Sequence, residues 1–352
     1  MSLYDRVRHL PLLVDGYELD PLELAVRPDF TRRTTVVRLQ GAGEAGVGED
    51  VTYDGDEHER QQARGPVLPL AGGWTLDSFS QHLAALPLFD HEPDQHRYVD
   101  YRRWAFESAA LDLALRQTGI SLGDAVGRPP RPVTFVASGG LGEPPTTERV
   151  RRLLDLYPGL QFKLDARPSW NDDLICELVE LRCVDSIDFK GHYSGTVVDN
   201  PHDPALYRRI VDAFPEAWLE DPALTAETRE ILEPHSRRIT WDAPIHSVED
   251  IQALPWPPRT VNVKPSRSGS AERLFAVYDY CFEHGIGAYG GGQLELGPGR
   301  GQIQLLAALF HPDTPNDVAP SGFNESTPRA GLPSSPLTVS SRSTGFLAVQ
   351  VA

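Results

Sequence analysis

The sequence predicts an α/β protein: a (β/α) barrel, read as (β/α)7β, carrying an N-terminal α+β capping domain. Three observations predict it. After residue 132, short apolar runs alternate with amphipathic stretches at a spacing of about 22–32 residues, the pattern of parallel strands joined by crossover helices. Before residue 128 the texture differs, with strand-like segments first and helical ones after them. Between the two lies Gly127-Arg-Pro-Pro-Arg-Pro132, which has the composition of a linker. Residues 1–127 are therefore expected to form the capping domain and 128–324 the barrel, with the tail 325–352 packing back onto the body.

In the capping domain, Phe30–Leu39 is rich in β-branched residues and reads as a strand. Gly41–Gly46 spells GxGxxG, but a dinucleotide site needs a helix to begin there. The polar, glycine-containing segment that follows has no helical period, so a hairpin turn is expected instead. Residues 50–66 read as an acidic loop. Helices are expected over Thr75–Leu86 and Tyr101–Gln117, the second with Trp104, Ala105, Ala109, Leu111, Leu113 and Leu115 as its apolar surface and Gly119 as its stop.

The barrel strands are expected at Val133–Ala137, Leu160–Leu164, Ser186–Phe189, Ala217–Leu219, Arg238–Trp241, Thr260–Val263 and Gly287–Tyr289, with a short eighth piece near Asn316–Pro320. Helical patterns fall between them at Thr147–Leu156, Asp172–Leu181, Pro204–Ala213, Ala226–Leu232 and Ala271–His284. The alternative is an open doubly wound sheet. The tail ends in apolar Phe346–Val351.

The chain carries 50 acidic and 33 basic residues, a formal charge of −17, so nucleic acid and anionic membranes would repel it as a whole. No apolar run approaches the ~20 residues of a membrane span, and the N-terminus lacks the apolar core of a signal peptide. Three scattered cysteines make no disulfide framework, and Cys176 and Cys183 are expected as buried thiols. A cytoplasmic location follows. With no CxxC or Cys/His pattern, any metal must sit on oxygen ligands.

Catalytic groups of a parallel barrel lie at the C-terminal ends of its strands. Those ends read Phe162-Lys163-Leu164-Asp165, Ile187-Asp188-Phe189-Lys190, Trp218-Leu219-Glu220-Asp221, Thr240-Trp241-Asp242-Ala243 and Val261-Asn262-Val263-Lys264. Three successive strands thus end in the carboxylates Asp188, Glu220 and Asp242, flanked by strands that end in Lys163 and Lys264. Three acids at one mouth repel each other unless a cation neutralises them, and an all-oxygen set with open positions suits Mg²⁺. Flanking lysines could serve as acid and base. Asp185 and Asp221 are the nearby alternatives as ligands, but Asp221 alternates away from Glu220 and is expected to face the helix layer or cap the next helix.

With these motifs the sequence resembles the enolase superfamily, in its mandelate racemase and muconate lactonizing enzyme-like branch. The resemblance runs over nearly the whole chain: Gly46-Val-Gly-Glu49 and Ala105–Leu115 in the capping domain; Phe162-Lys-Leu, Trp218-Leu-Glu-Asp-Pro222, Val263-Lys-Pro-Ser266 and Gly290–Gly297 in the barrel. It implies Asp188, Glu220 and Asp242 as Mg²⁺ ligands and Lys163, Lys264 and Lys190 as candidate catalytic groups. The reaction it implies is a lyase or isomerase reaction on a small carboxylate substrate, through a metal-stabilised enediolate, since members of that superfamily pair a Lys or His base with Mg²⁺. Asp165, Glu295, Gln293 and Tyr17 are the candidates for substrate contact or support of the ligands. His192 and His246 follow strands three and five and could reach the pocket. A homo-oligomer is left open.

The sequence departs from the branch at three places. Asp165 stands where a second lysine is usual, Lys190 where an asparagine is usual, and Ala243 where a glutamate is usual. The first two suggest an Asp165–Lys190 ion pair at the barrel mouth, and favour elimination or one-base chemistry over racemisation. All three departures motivate a second reading, a metal- and carboxylate-binding protein without turnover. A third reading is a barrel hydrolase using two carboxylates.

Overall fold

The computed structural model describes residues 1–350 apart from 28–29, 194–199, 326 and 342. In the capping domain β1 (Pro11–Val14) pairs antiparallel with Gly72–Thr75, and the main antiparallel sheet is β2 (Gly16–Arg27), β3 (Phe30–Gly41) and β4 (Glu44–Asp50). The GxGxxG stretch is the β3–β4 hairpin, with Gly41 paired to Glu44 across the turn. Against this sheet lies the long helix Arg97–Thr118, which ends on Gly119 in the left-handed conformation. Its approach is close. A Cβ on Gly48 would sit 2.0 Å from the Ala105 carbonyl oxygen, and one on Gly46 would sit 2.3 Å from the Ala109 oxygen. Glycine at both positions is what lets strand and helix meet.

The acidic stretch 50–66 is not a loop throughout: Gly55–Arg64 is a helix, with Asp54 accepting from the Asp56 amide at its start. Its buried face is Glu57, His58 and Gln61, all polar, so hydrophobic periodicity could not reveal it. His58 shows how that face is satisfied, with Nδ1 2.9 Å from Thr35 Oγ1 and Nε2 2.8 Å from the Thr52 oxygen.

The second domain is a closed barrel, not an open sheet. Val136–Gly139, Gln161–Asp165, Val184–Asp188, Trp218–Glu220 and Ile239–Thr240 pair in sequence, all parallel. The Asn262 amide donates to the Trp241 oxygen at 2.9 Å and joins the fifth strand to the sixth, Thr260–Val263. The sixth pairs with the seventh, Gly287–Gly290. Parallel bridges Gly291–Asp317 and Phe135–Asn316 then close the ring through the eighth position. The helices expected at Asp172–Leu181, Pro204–Ala213, Ala226–Leu232 and Ala271–His284 have those bounds. Pattern reading did not draw the short helix Val248–Gln252, the turn-like helix Pro265–Ser268 or the long helix Pro298–Phe310.

Cys183 is buried as expected, but Cys176 is exposed on its helix, which turns its other face to the barrel. The tail packs back at Phe346, which is fully buried, stands edge-on to Trp104, and donates its amide to Asp112 Oδ1 at 2.7 Å. Val351, the end of the apolar tail run, lies outside the described residues. No helix among the described residues is long and apolar enough to cross a membrane.

Candidate active site

Strand register assembles the site. Asp165 pairs with Asp188, and Asp188 with Glu220, so three neighbouring strands carry a carboxylate at one level. Glu220 pairs with Thr240, which puts Asp242 two residues further along the next strand, on the same side. Asp188, Glu220, Asp221 and Asp242 are all buried. One oxygen each from Glu220, Asp221 and Asp242 can be chosen within 4.8 Å of one another, a grouping able to hold a metal ion.

Four buried or half-buried cations face these acids. Lys163 Nζ bonds Glu220 Oε1 and lies 3.2 Å from Asp188 Oδ2 and 3.8 Å from Asp317 Oδ2. Lys190 Nζ bonds Asp188 Oδ2 and lies 3.3 Å from Asp165 Oδ1. The anticipated Asp165–Lys190 pair is therefore present, but Lys190 is shared with Asp188. Lys190 reaches back because its own backbone is left-handed, at φ 54°, with its amide on Asp188 Oδ1 at 2.9 Å. Lys264 Nζ is 2.8 Å from Asp242 Oδ2, and Arg267 Nη1 is 2.6 Å from Asp242 Oδ1.

These neighbours set the ionisation of each group. Burial opposes the charge on Asp188, yet Lys190 and Lys163 hold its carboxyl well below the usual range. Asp242 is likewise held low against its burial by Arg267 and Lys264. Glu220 goes the other way: burial, then Asp188, Asp242 and Asp221, push it well above the usual range despite Lys163. Burial pushes Asp221 up to about 6, with Asp242 and Asp188 adding to it. Among the lysines, Lys163 and Lys190 are raised against burial by their carboxylates, whereas burial lowers Lys264.

Sequence reasoning missed Arg267 and Tyr289, among others, and expected Asp221 to turn elsewhere. Arg267 lies three residues beyond Lys264, on the Pro265–Ser268 turn; an arginine among small residues just after strand six was the available signal. Its Nη2 also donates to the Tyr193 hydroxyl at 3.0 Å. Tyr289 donates to Glu220 Oε2 and receives a bond from Thr240 Oγ1 at 3.2 Å; nothing in Gly287–Gly290 marks it. Asp221 neither faces the helix layer nor caps a helix. Instead its two oxygens accept the Asp242 and Ala243 amides at 2.8 Å each, tying the ends of strands four and five together.

The other sequence candidates spend their hydrogen bonds outside the carboxylate cluster. Gln293 donates to the Tyr101 hydroxyl at 3.1 Å, and Glu295 accepts the Gln293 amide at 2.6 Å and faces Arg300 at 3.1 Å. Both are used within the strand-seven loop and its seam with the capping domain. The Tyr17 hydroxyl accepts the Leu68 amide at 3.0 Å, and its ring stands edge-on to Phe106, so its contacts lie in the capping-domain core. The structure does not bring Tyr17 to the carboxylates. His246 is bound to the Ala243 oxygen within its own loop, and His192 stands edge-on to Trp241.

The comparisons with known proteins agree with this architecture. The family described as "Domain of unknown function (DUF8230) C-terminal domain" matches residues 129–325, and its N-terminal counterpart matches residues 5–125. The o-succinylbenzoate synthase of Geobacillus stearothermophilus is 26% identical over 298 residues, covering 79% of this chain and 75% of that protein. Muconate cycloisomerase from Pseudomonas fluorescens superposes with a TM-score of 0.66 at 17% identity, covering 97% of each chain. Dipeptide epimerase from Enterococcus faecalis V583 gives 0.67 at 14% identity, covering 96% of this chain and 99% of that one. An enolase-superfamily member of unknown function from the same organism gives 0.61 at 18% identity, covering 88% and 87%. The fold is that of the enolase superfamily, a capped barrel.

Proposed function

We propose that this chain, which belongs to the DUF8230 family, is a divalent-metal-dependent lyase or isomerase that removes the proton α to a substrate carboxylate. The observation that carries the reading is the charge balance at the barrel mouth. Six carboxylates (Asp165, Asp188, Glu220, Asp221, Asp242 and Asp317) meet four cations (Lys163, Lys190, Lys264 and Arg267), which leaves two negative charges in excess when all are ionised. One divalent cation would neutralise that excess, and an all-carboxylate donor set suits a hard ion such as Mg²⁺. The residues therefore fit the group. Asp188, Glu220 and Asp242 would hold it, since Asp221 already anchors two backbone amides.

Bound there, Mg²⁺ supplies positive charge for a substrate carboxylate and for the negative charge that grows beside it. The chain's own residues do the rest. Lys163 and Lys264 come from the second and sixth strands, on opposite sides of the ring, and so flank whatever the carboxylates hold. Lys264 is the candidate base. Its fixed partner Asp242 holds its Nζ at the mouth, and Arg267 takes the other Asp242 oxygen. Lys163 is bound to two carboxylates at once and is suited to hold charge in place. Lys190 occupies the side where a second base would stand, paired with Asp165 and Asp188, which supports elimination or one-base chemistry. The buried side chains around the cluster exclude water.

The named relative makes o-succinylbenzoate the first compound to try as a bound carboxylate. The deciding experiment is a screen of small carboxylates, o-succinylbenzoate among them, with Mg²⁺ in D₂O. Deuterium uptake at the carbon next to a carboxylate, abolished by chelator and by Lys264→Ala, supports the reading. Mg²⁺ binding with no uptake from any acid would favour the binding protein without turnover. Activity indifferent to chelator would favour the two-carboxylate hydrolase.

A further inference from the structure

The strand-seven loop, residues 293–299, is gripped from the capping domain by two buried charged side chains of opposite sign. Arg32, near the start of β3, is fully buried. It donates to the Thr52 and Val51 oxygens at 2.5 and 2.7 Å within its own domain. It also donates to the Gln293 and Leu294 oxygens of the barrel loop at 2.9 and 3.2 Å. Among the described residues no carboxylate forms an ion pair with it, so four carbonyl dipoles and the face of the Tyr53 ring, 4.4 Å away, carry its charge. Glu49, at the end of β4, is also buried. Its Oε1 accepts the Leu296 amide at 2.6 Å, and its Oε2 accepts the Gly297 and Gly299 amides at 3.0 Å each.

One side chain thus takes the loop's carbonyls and the other takes its amides. The sequence makes room for this: a Cβ on Gly299 would lie 2.9 Å from Glu49 Oε2, and one on Gly297 would lie 3.3 Å from it. Between the two grips Leu294 is held left-handed at φ 55°, a conformation a leucine adopts only when its surroundings impose it. Burying a guanidinium without a paired carboxylate is costly, as is burying a carboxyl that its surroundings push up, and doing both around one loop makes sense only if the loop must stay put.

We infer that Arg32 and Glu49 are positioning residues: together they fix the strand-seven loop over the barrel mouth and couple the capping domain to the site. The inference rests on the reading of that mouth as the reaction site, but the grip itself is testable without a substrate. Arg32 touches residues 293–294 and Glu49 touches 296–299. A joint clamp therefore predicts an effect of each on the other's contacts, whereas two separate local anchors predict none.

The experiment is hydrogen exchange followed by mass spectrometry on the full chain and on Arg32→Met, Arg32→Lys, Glu49→Gln and the Arg32→Met/Glu49→Gln double variant. The expected result is at least ~10-fold faster exchange across 296–299 in Arg32→Met, partial recovery in Arg32→Lys, and no further gain in the double variant. Peptides of the barrel strands should exchange as in the parent, and Mg²⁺ affinity should stay within about twofold. For any carboxylate the parent turns over, KM should rise more than kcat falls. Parental exchange across 296–299 in Arg32→Met, or effects that simply add in the double variant, would overturn the clamp. If Arg32→Met does not fold, Arg32→Lys and Glu49→Gln decide between the same outcomes. A parent that neither binds Mg²⁺ nor exchanges an α-proton defeats the proposed function and leaves the exchange result to judge the clamp alone.

Discussion

The two sides of the barrel mouth each hold a deeply buried lysine, Lys163 and Lys264, in opposite electrostatic settings. On the side of strands two to four, two lysines are shared among Asp165, Asp188 and Glu220. On the side of strands five and six, a single Asp242 serves both Lys264 and Arg267. Burial disfavours the charge on all three lysines. Surplus carboxylate nevertheless raises Lys163 and Lys190, while Lys264, sharing its one carboxylate with an arginine, is lowered. The ratio of acids to cations, not depth, separates the two sides. In the proposed reading Asp188 and Glu220 of the acid-rich side hold the cation together with Asp242 across the mouth, and Lys264 moves the proton.

The largest expected effect breaks the comparison on the proton side. Lys264→Ala should lower α-proton exchange by ~10²–10⁴-fold while leaving Mg²⁺ affinity nearly unchanged. Rates measured in D₂O beside calorimetry with Mg²⁺ would show both, and equal loss of both would merge the two sides into one.

Next comes the metal side. Glu220→Gln should weaken Mg²⁺ binding by more than ~100-fold, whereas Asp221→Asn, which keeps one acceptor for the backbone amides, should weaken it by about tenfold or less. Calorimetry on the pair checks the assignment of Asp221 as an anchor. The reverse order of losses would move Asp221 into the ligand set.

A smaller effect sharpens the comparison at the partly exposed Asp165–Lys190 pair. Asp165→Asn should cost about 1 kcal/mol, because Lys190 keeps Asp188 as a partner. Lys190→Asn should cost more, about 2–3 kcal/mol, since it leaves the buried Asp188 with one lysine fewer. Denaturant titration of both singles and the double measures the coupling; additive losses would mean the pair contributes nothing.

Much of this arrangement was legible in the sequence, and the gaps have physical reasons. The barrel strands announce themselves because a strand buried on both faces reads as a short apolar run, as at Thr260–Val263 and Gly287–Gly290. Their polar last residues stand out for the same reason, so Asp188, Glu220, Asp242, Lys163 and Lys264 were found together. The Gly55–Arg64 helix was hidden because its buried face is made of Glu57, His58 and Gln61. The Pro298–Phe310 helix was obscured by Gly297, Gly299 and Gly301, of which the first two serve close packing rather than breaking a helix. Arg267, Tyr289 and the grip of Arg32 and Glu49 depend on contacts between residues far apart in the chain, and no local pattern encodes those. Tyr17 was a candidate for the site, but it lies on strand β2 and its hydroxyl is already used by the Leu68 amide.

The central claim is that Asp188, Glu220 and Asp242 hold a divalent cation in the service of proton abstraction by Lys264. Deuterium uptake at the α-carbon of a responsive carboxylate, followed by NMR in D₂O with and without Mg²⁺, tests it most directly. The account predicts uptake that needs Mg²⁺ and is lost in both Glu220→Gln and Lys264→Ala. Uptake that persists in chelator, or that survives in Lys264→Ala, would contradict it.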